Sequence, residues 1–208
     1  MTDPETVGFF DRQAPEWDAH DHSDAFRLLP VILARAGIVA EDSVLDVGAG
    51  TGILVPFLEM AGVRRMAAVD ASGAMVREYR KKFPGRRVDV ADFGADPLPF
   101  GPESFTKVVV FNSFPHFREE PARLFRAAFE LLAPAGRLII CHSMNRAALN
   151  RHHRRAGREV AGDVLIPDEE IERLYGGAGF IRTVVEDGGY FYSSGDKPGA
   201  SSPRPART

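Results

Sequence analysis

The stretch Val44-Leu45-Asp46-Val47-Gly48-Ala49-Gly50-Thr51-Gly52 constrains the fold most: a short apolar run carries one acid and ends in three glycines spaced two apart. Val44, Leu45 and Val47 are β-formers bounded by turn residues, which predicts a buried strand entering a glycine loop. Beyond the loop, Ile53, Leu54, Phe57, Leu58 and Ala61 recur at helical spacing. Glycine is needed at such a turn because a Cβ would block both the tight backbone path and the close approach of a ligand. The start of the helix adds unpaired N–H groups. The loop is therefore suited to holding a polar small molecule against backbone.

The spacing narrows the choice of ligand. In the dinucleotide fingerprint G-x-G-x-x-G the last glycine lets the helix pack on the strand, but here Ile53 stands in that slot. This argues against a nicotinamide-dependent oxidoreductase. Asp70 would still permit one, because it ends a second strand, Met66-Ala67-Ala68-Val69, and lies 18 residues past Gly52. That is close to the spacing at which a Rossmann-type fold sets a carboxylate on ribose hydroxyls, and a carboxylate can accept from both hydroxyls.

The rest of the chain alternates in the same way. A helical apolar stripe runs from Asp24 to Gly37, with Pro30 either kinking it or marking the first turn of a shorter helix. A helix from Asp70-Ala71-Ser72 through Tyr79, a third strand Arg87 to Asp92, and a β-branched fourth strand Lys107 to Phe111 follow. Then come an amphipathic helix Glu119 to Leu132, a fifth strand Arg137 to His142, a mostly helical basic stretch Ser143 to Asp163, and a helix from Pro167 ending at Gly176-Gly177. Phe180 to Glu186 and Tyr190 to Ser194 read as a hairpin across Asp187-Gly188-Gly189. The expected architecture is α/β, a doubly wound Rossmann-like sheet of seven strands, mostly parallel with an antiparallel last strand, and helices on both faces. We expect an N-terminal lid and helix over residues 1–40, the main domain over 41–195, and a Pro, Ser and Arg rich disordered tail over 196–208.

With 208 residues the chain fits one domain. Its net charge of −3 disfavours a wide nucleic-acid footprint. Cys141 is the single cysteine, so neither an internal disulfide nor a cysteine-rich metal site can form. Adjacent His152 and His153 on a helix point about 100° apart, which argues against a shared metal; no metal site is expected. No apolar run is long enough to span a bilayer, and a cytoplasmic location is expected.

The pattern D-x-G-x-G-x-G at Asp46 to Gly52 resembles the class I S-adenosylmethionine (SAM) dependent methyltransferases. The phrase Phe9-Phe10-Asp11-Arg12-Gln13-Ala14-Pro15-Glu16-Trp17-Asp18 is similar to the opening segment of the ubiquinone and menaquinone C-methylase-like branch. Pro97-Leu98-Pro99-Phe100 with Glu103-Ser104-Phe105, and Ala178-Gly179-Phe180, match further phrases of that group; Thr106 departs from it where relatives carry an acid, and Ala135-Gly136 where they carry two glycines. The resemblance implies SAM as cofactor, S-adenosylhomocysteine as product, and a small-molecule acceptor methylated at carbon or oxygen by in-line displacement. It implies cofactor contacts from Asp46, Gly48, Ala49, Gly50, Gly52, Asp70, Ala71, Met75, Asp92, Phe93 and Asn112. Phe9, Phe10, Trp17 and Phe114 are expected at the lid or acceptor. His116, with His142 next, is the candidate to take the acceptor's proton. A non-catalytic SAM-binding protein remains an alternative, and the arginines of residues 146–158 could form a solvated face, an anion site or a homodimer contact.

Overall fold

The computed structural model describes residues 3–200. Its seven strands are β1 (Ser43–Val47), β2 (Arg65–Asp70), β3 (Arg87–Val90), β4 (Phe105–Phe111), β5 (Leu132–His142), β6 (Ile181–Asp187) and β7 (Phe191–Asp196). They form one sheet in the order β3-β2-β1-β4-β5-β7-β6. The first five are parallel, whereas β7 runs antiparallel to both β5 and β6. The helices are α1 (Pro4–Gln13), α2 (Ser23–Arg35), α3 (Val55–Met60), α4 (Gly73–Lys82), α5 (Pro121–Leu131), α6 (Arg146–Ala156) and α7 (Asp168–Ala178).

Alternation along the strands divides the core into two layers, as period-two side chains require. Leu45, Val47, Val108, Val110, Leu138 and Ile140 pack with Phe125 and Leu131 of α5 and with Ile171 and Tyr175 of α7. Their neighbours Val44, Val109, Phe111, Ile139 and Cys141 pack with Leu29, Ile32 and Leu33 of α2 and with Leu58 of α3. Both faces of the sheet are thus covered, and the ends of its parallel strands are left to carry the site.

Several boundaries differ from the sequence reading. Regular helix after the glycine loop starts only at Val55, the loop unwinding through turns first. Pro30 lies inside α2 at an exposed position. Helix α7 runs through Gly176 and Gly177 and stops at Gly179, whose φ of +98° sets the left-handed cap; Phe180 N–H then bonds Tyr175 C=O. Only Arg146 to Ala156 of the basic stretch is helical, with the Asn145 side chain capping Ala148 N–H at 2.9 Å. Strand β7 continues through Asp196, where the tail was expected to begin, because that carboxylate accepts from Arg137 Nε at 2.6 Å and from Arg182 Nε at 2.9 Å. Lys197 N–H also bonds Gly136 C=O at 2.8 Å. Residues 201–208 of the expected tail lie outside the described residues. At Thr106, where the resemblance would put an acid, the threonine hydroxyl donates to Asp42 at 2.6 Å.

Candidate active site

The carboxyl ends of β1, β2 and β4 open onto a cavity of about 1050 Å³. Each loop glycine has its own physical reason. A Cβ on Gly48 (φ +69°) would lie 2.5 Å from Ser113, and one on Gly52 (φ +92°) 2.8 Å from the Tyr79 and Phe83 rings. At Gly50 (φ +56°) the nearest atom to such a Cβ is Trp17 Nε1 at 4.0 Å, so this glycine faces open space. Gly50 N–H donates to Asp70 Oδ2 and Ser72 N–H to Asp70 Oδ1, both at 2.8 Å. These two bonds leave the Asp70 carboxylate with unused acceptor positions toward the cavity it lines. Burial raises the Asp70 pKa, opposed by those two backbone donors.

Gly48, Ala49, Gly50, Gly52, Asp70, Ala71, Met75, Asp92, Phe93 and Asn112 all line this one cavity. Asp46 does not; it is buried beneath the loop with Oδ2 unpartnered, and burial, with Asp70 nearby, pushes its pKa up to about 8. Asn112 adopts φ +54° at the end of β4, a left-handed conformation that asparagine tolerates better than most residues. Its side chain accepts from Ser143 N–H at 2.8 Å and so joins the ends of β4 and β5.

The N-terminal segment lies over this floor as a strap made of α1 and a 3-10 turn, Ala14–Ala19. Phe9, Phe10 and Trp17 line the cavity from above. Phe10 meets Trp17 edge-on with ring centroids 5.5 Å apart. Polar contacts fix the strap on both sides. Asp11 Oδ1 accepts from Ser72 Oγ at 2.6 Å and from Ala74 N–H at 3.0 Å, while Asp18 accepts from Thr51 Oγ1 at 2.7 Å and pairs with Lys82 at 2.8 Å. On the other side Arg12 pairs with Glu159 at 2.7 Å, and Asp3 with Arg118.

His116, from the 3-10 turn Phe114–Phe117, lines the cavity with its ring 4.9 Å from that of Phe10. Its Nδ1 lies 2.7 Å from Oδ2 of fully buried Asp163. Arg118 Nη1 is 2.9 Å from the other Asp163 oxygen, and the Asp163 carbonyl accepts from His153 Nδ1. His142 and Phe114 are not at the cavity. His142 is fully buried with neither ring nitrogen partnered, and burial, then His116 and His153, hold its pKa well below the usual range. Phe114 packs into the core against Phe125. Asp11, Asp18 and Asp163 were not singled out from sequence. The first two lie inside the quoted N-terminal phrase, whereas Asp163 has no local pattern that marks it.

Among the described residues, no group of three or more His, Cys, Asp or Glu is arranged to hold a metal ion. None of their helices is long and apolar enough to cross a membrane. Arg146 is tied to Asp168, Asp187 and the Ile166 carbonyl. Arg151, Arg154, Arg155 and Arg158 are exposed.

Residues 45–140, from β1 to β5, match the family model described as a methyltransferase domain. A SAM-dependent methyltransferase of Thermotoga maritima superposes with a TM-score of 0.70 at 22% identity, covering 92% of this chain and 99% of that one. Residues 45–140 are thus a methyltransferase domain, and the chain has the fold of the class I SAM-dependent methyltransferases. Among curated relatives, the erythromycin 3''-O-methyltransferase of Saccharopolyspora erythraea is 36% identical over 110 residues, covering 50% of this chain and 36% of that protein. The demethylmenaquinone methyltransferase of Clavibacter sepedonicus is 33% identical over 104 residues, covering 50% of this chain and 42% of that protein. The chain thus spans less than half the length of these two relatives. As a methyltransferase fold it also fits the family's cofactor on its own geometry: a glycine with an open face, a carboxylate with spare acceptors, and apolar Met75 and Phe93 line one cavity.

Proposed function

We propose that this chain transfers a methyl group from SAM to oxygen or carbon of a small-molecule acceptor, in the cytoplasm. The observation that carries this reading is the convergence in one cavity of Gly50, Asp70 and His116 beneath a docked aromatic strap. Asp70 would accept from the ribose hydroxyls, the backbone of Gly48 to Gly52 would approach the amino-acid portion, and Met75, Asp92 and Phe93 would border the adenine. SAM supplies an electrophilic methyl group on a sulfonium, so the protein's task is alignment and exclusion of water more than bond polarisation. Phe9, Phe10 and Trp17 exclude water, and His116 receives the proton that a hydroxyl or carbon acid must lose. A strap-covered, aromatic-lined cleft suits a small molecule better than a duplex, in keeping with the net charge of −3.

Calorimetric titration with SAM, S-adenosylhomocysteine and NADH, on wild type and Asp70→Asn, tests the reading. Micromolar binding of the first two, weakened about tenfold or more in the variant, is expected, since a hydrogen bond to a charged group is lost. Binding of NADH alone, or of none of the three by folded protein, would overturn it. SAM binding with no methyl transfer across a broad acceptor panel would instead favour a non-catalytic SAM-binding protein.

A further inference from the structure

We propose that Asp163 is a positioning residue that holds His116 in the tautomer with Nδ1 protonated, leaving Nε2 as the proton acceptor facing the acceptor cavity. This rests on the reading of His116 as the base. Asp163 has no exposed surface, yet it sits in a loop between α6 and α7, where a buried carboxylate is costly unless it is bonded. Three groups converge on it: the His116 ring at 2.7 Å, Arg118 at 2.9 Å, and His153, which bonds its carbonyl. An ionised carboxylate can only accept, so the bond to His116 requires Nδ1 to donate. In neutral imidazole the proton on one nitrogen leaves the other as a lone pair. Nε2 has no hydrogen-bond partner among the described residues, and the ring lines the cavity.

The pair then works as an oriented base. The acceptor's O–H or C–H bond breaks as an Nε2–H bond forms, its electron pair stays on the acceptor atom that gains the methyl group, and the imidazolium formed is stabilised by Asp163. Arg118 neutralises the same carboxylate from its other side and limits how strongly it holds that charge. Phe10 fixes the plane of the ring from the strap.

The tautomer can be read without an acceptor, from long-range 1H–15N correlation spectra of protein carrying 15N-histidine. His116→Gln assigns its signals among the six histidines. At a pH above the ordinary histidine range, wild type is expected to show His116 with Nδ1 protonated and Nε2 bare. In Asp163→Asn that tautomer ratio is expected to fall about tenfold or more, the equivalent of one charge-assisted hydrogen bond. An Nε2-protonated ring in wild type, or an unchanged ratio in the variant, would overturn the proposal. Should Asp163→Asn fail to fold, Arg118→Gln decides. With its competing donor gone, Asp163 still accepts from His116, and the Nδ1-protonated tautomer is expected to persist; a shift to the Nε2-protonated ring overturns the proposal. Titrating the same samples with S-adenosylhomocysteine separates the two readings: loss of that binding counts against the methyltransferase activity, and the wrong tautomer counts against Asp163 alone.

Discussion

The loop glycines show that one residue type answers two different demands within five positions. Gly48 and Gly52 are small because protein packs against them, and Gly50 is small because the space beside it has to stay open. Asp46, beneath them, has a measurable consequence. Its pKa rises from 3.8 to about 8 through burial, so between those values the folded chain holds a proton that the unfolded chain has released. The folded state therefore binds more protons, and stability falls as pH rises through this window, by up to about 1.4 kcal/mol per pH unit. Asp46→Asn keeps the shape and removes the titration. Urea denaturation across the upper half of that window is expected to show a flatter pH dependence in the variant, and equal slopes would refute the assignment. The buried neutral His142 acts in the opposite sense on the acid side, because the unfolded chain takes up a proton there that the folded one refuses.

At the scale of elements, strand β5 carries left-handed backbone strain near its start. Ala135 sits at φ +63°, while a Cβ on Gly136 would meet the Ala133 carbonyl at 2.8 Å. Ala135→Gly relieves about 1–2 kcal/mol of left-handed strain against about 0.4–1 kcal/mol of added unfolded-state freedom, so a net gain of about 0.5 kcal/mol is expected in urea denaturation. The strap offers a second test, because Trp17 is the only tryptophan and lies on it. Asp11 docks the strap by capping the start of α4. Asp11→Ala is expected to shift the emission of the ligand-free protein to the red and to weaken S-adenosylhomocysteine binding several-fold, about the loss of one cap. Unchanged emission and affinity would mean that other contacts hold the strap.

For the whole molecule, the fold was legible because strand, glycine loop and helix each follow from local chemistry. The alternation of Val44 to Val47 and Lys107 to Phe111 places them in the sheet, and the spacing of Asp70 places it at the end of β2. What sequence left hidden is what depends on distant partners. His142 and His116 are alike as letters, yet one is sealed in the core at the end of β5 and the other lines the cavity, because only the 3-10 turn after β4 is free to project its side chain. Asp163 could not be read because the partners of its carboxylate lie 45 and 47 positions away. Helix and strand ends were missed where a cap or an ion pair decided them, as at Gly179 and Asp196.

The insertion of β7 between β5 and β6 also sets a schedule for synthesis. On the ribosome β5 emerges with one edge paired to β4 and the other bare, and it stays bare while residues 143–190 are made. Such an edge is a template for pairing with another chain. A nascent chain stalled before Phe191 therefore leaves this strand edge open to its neighbours.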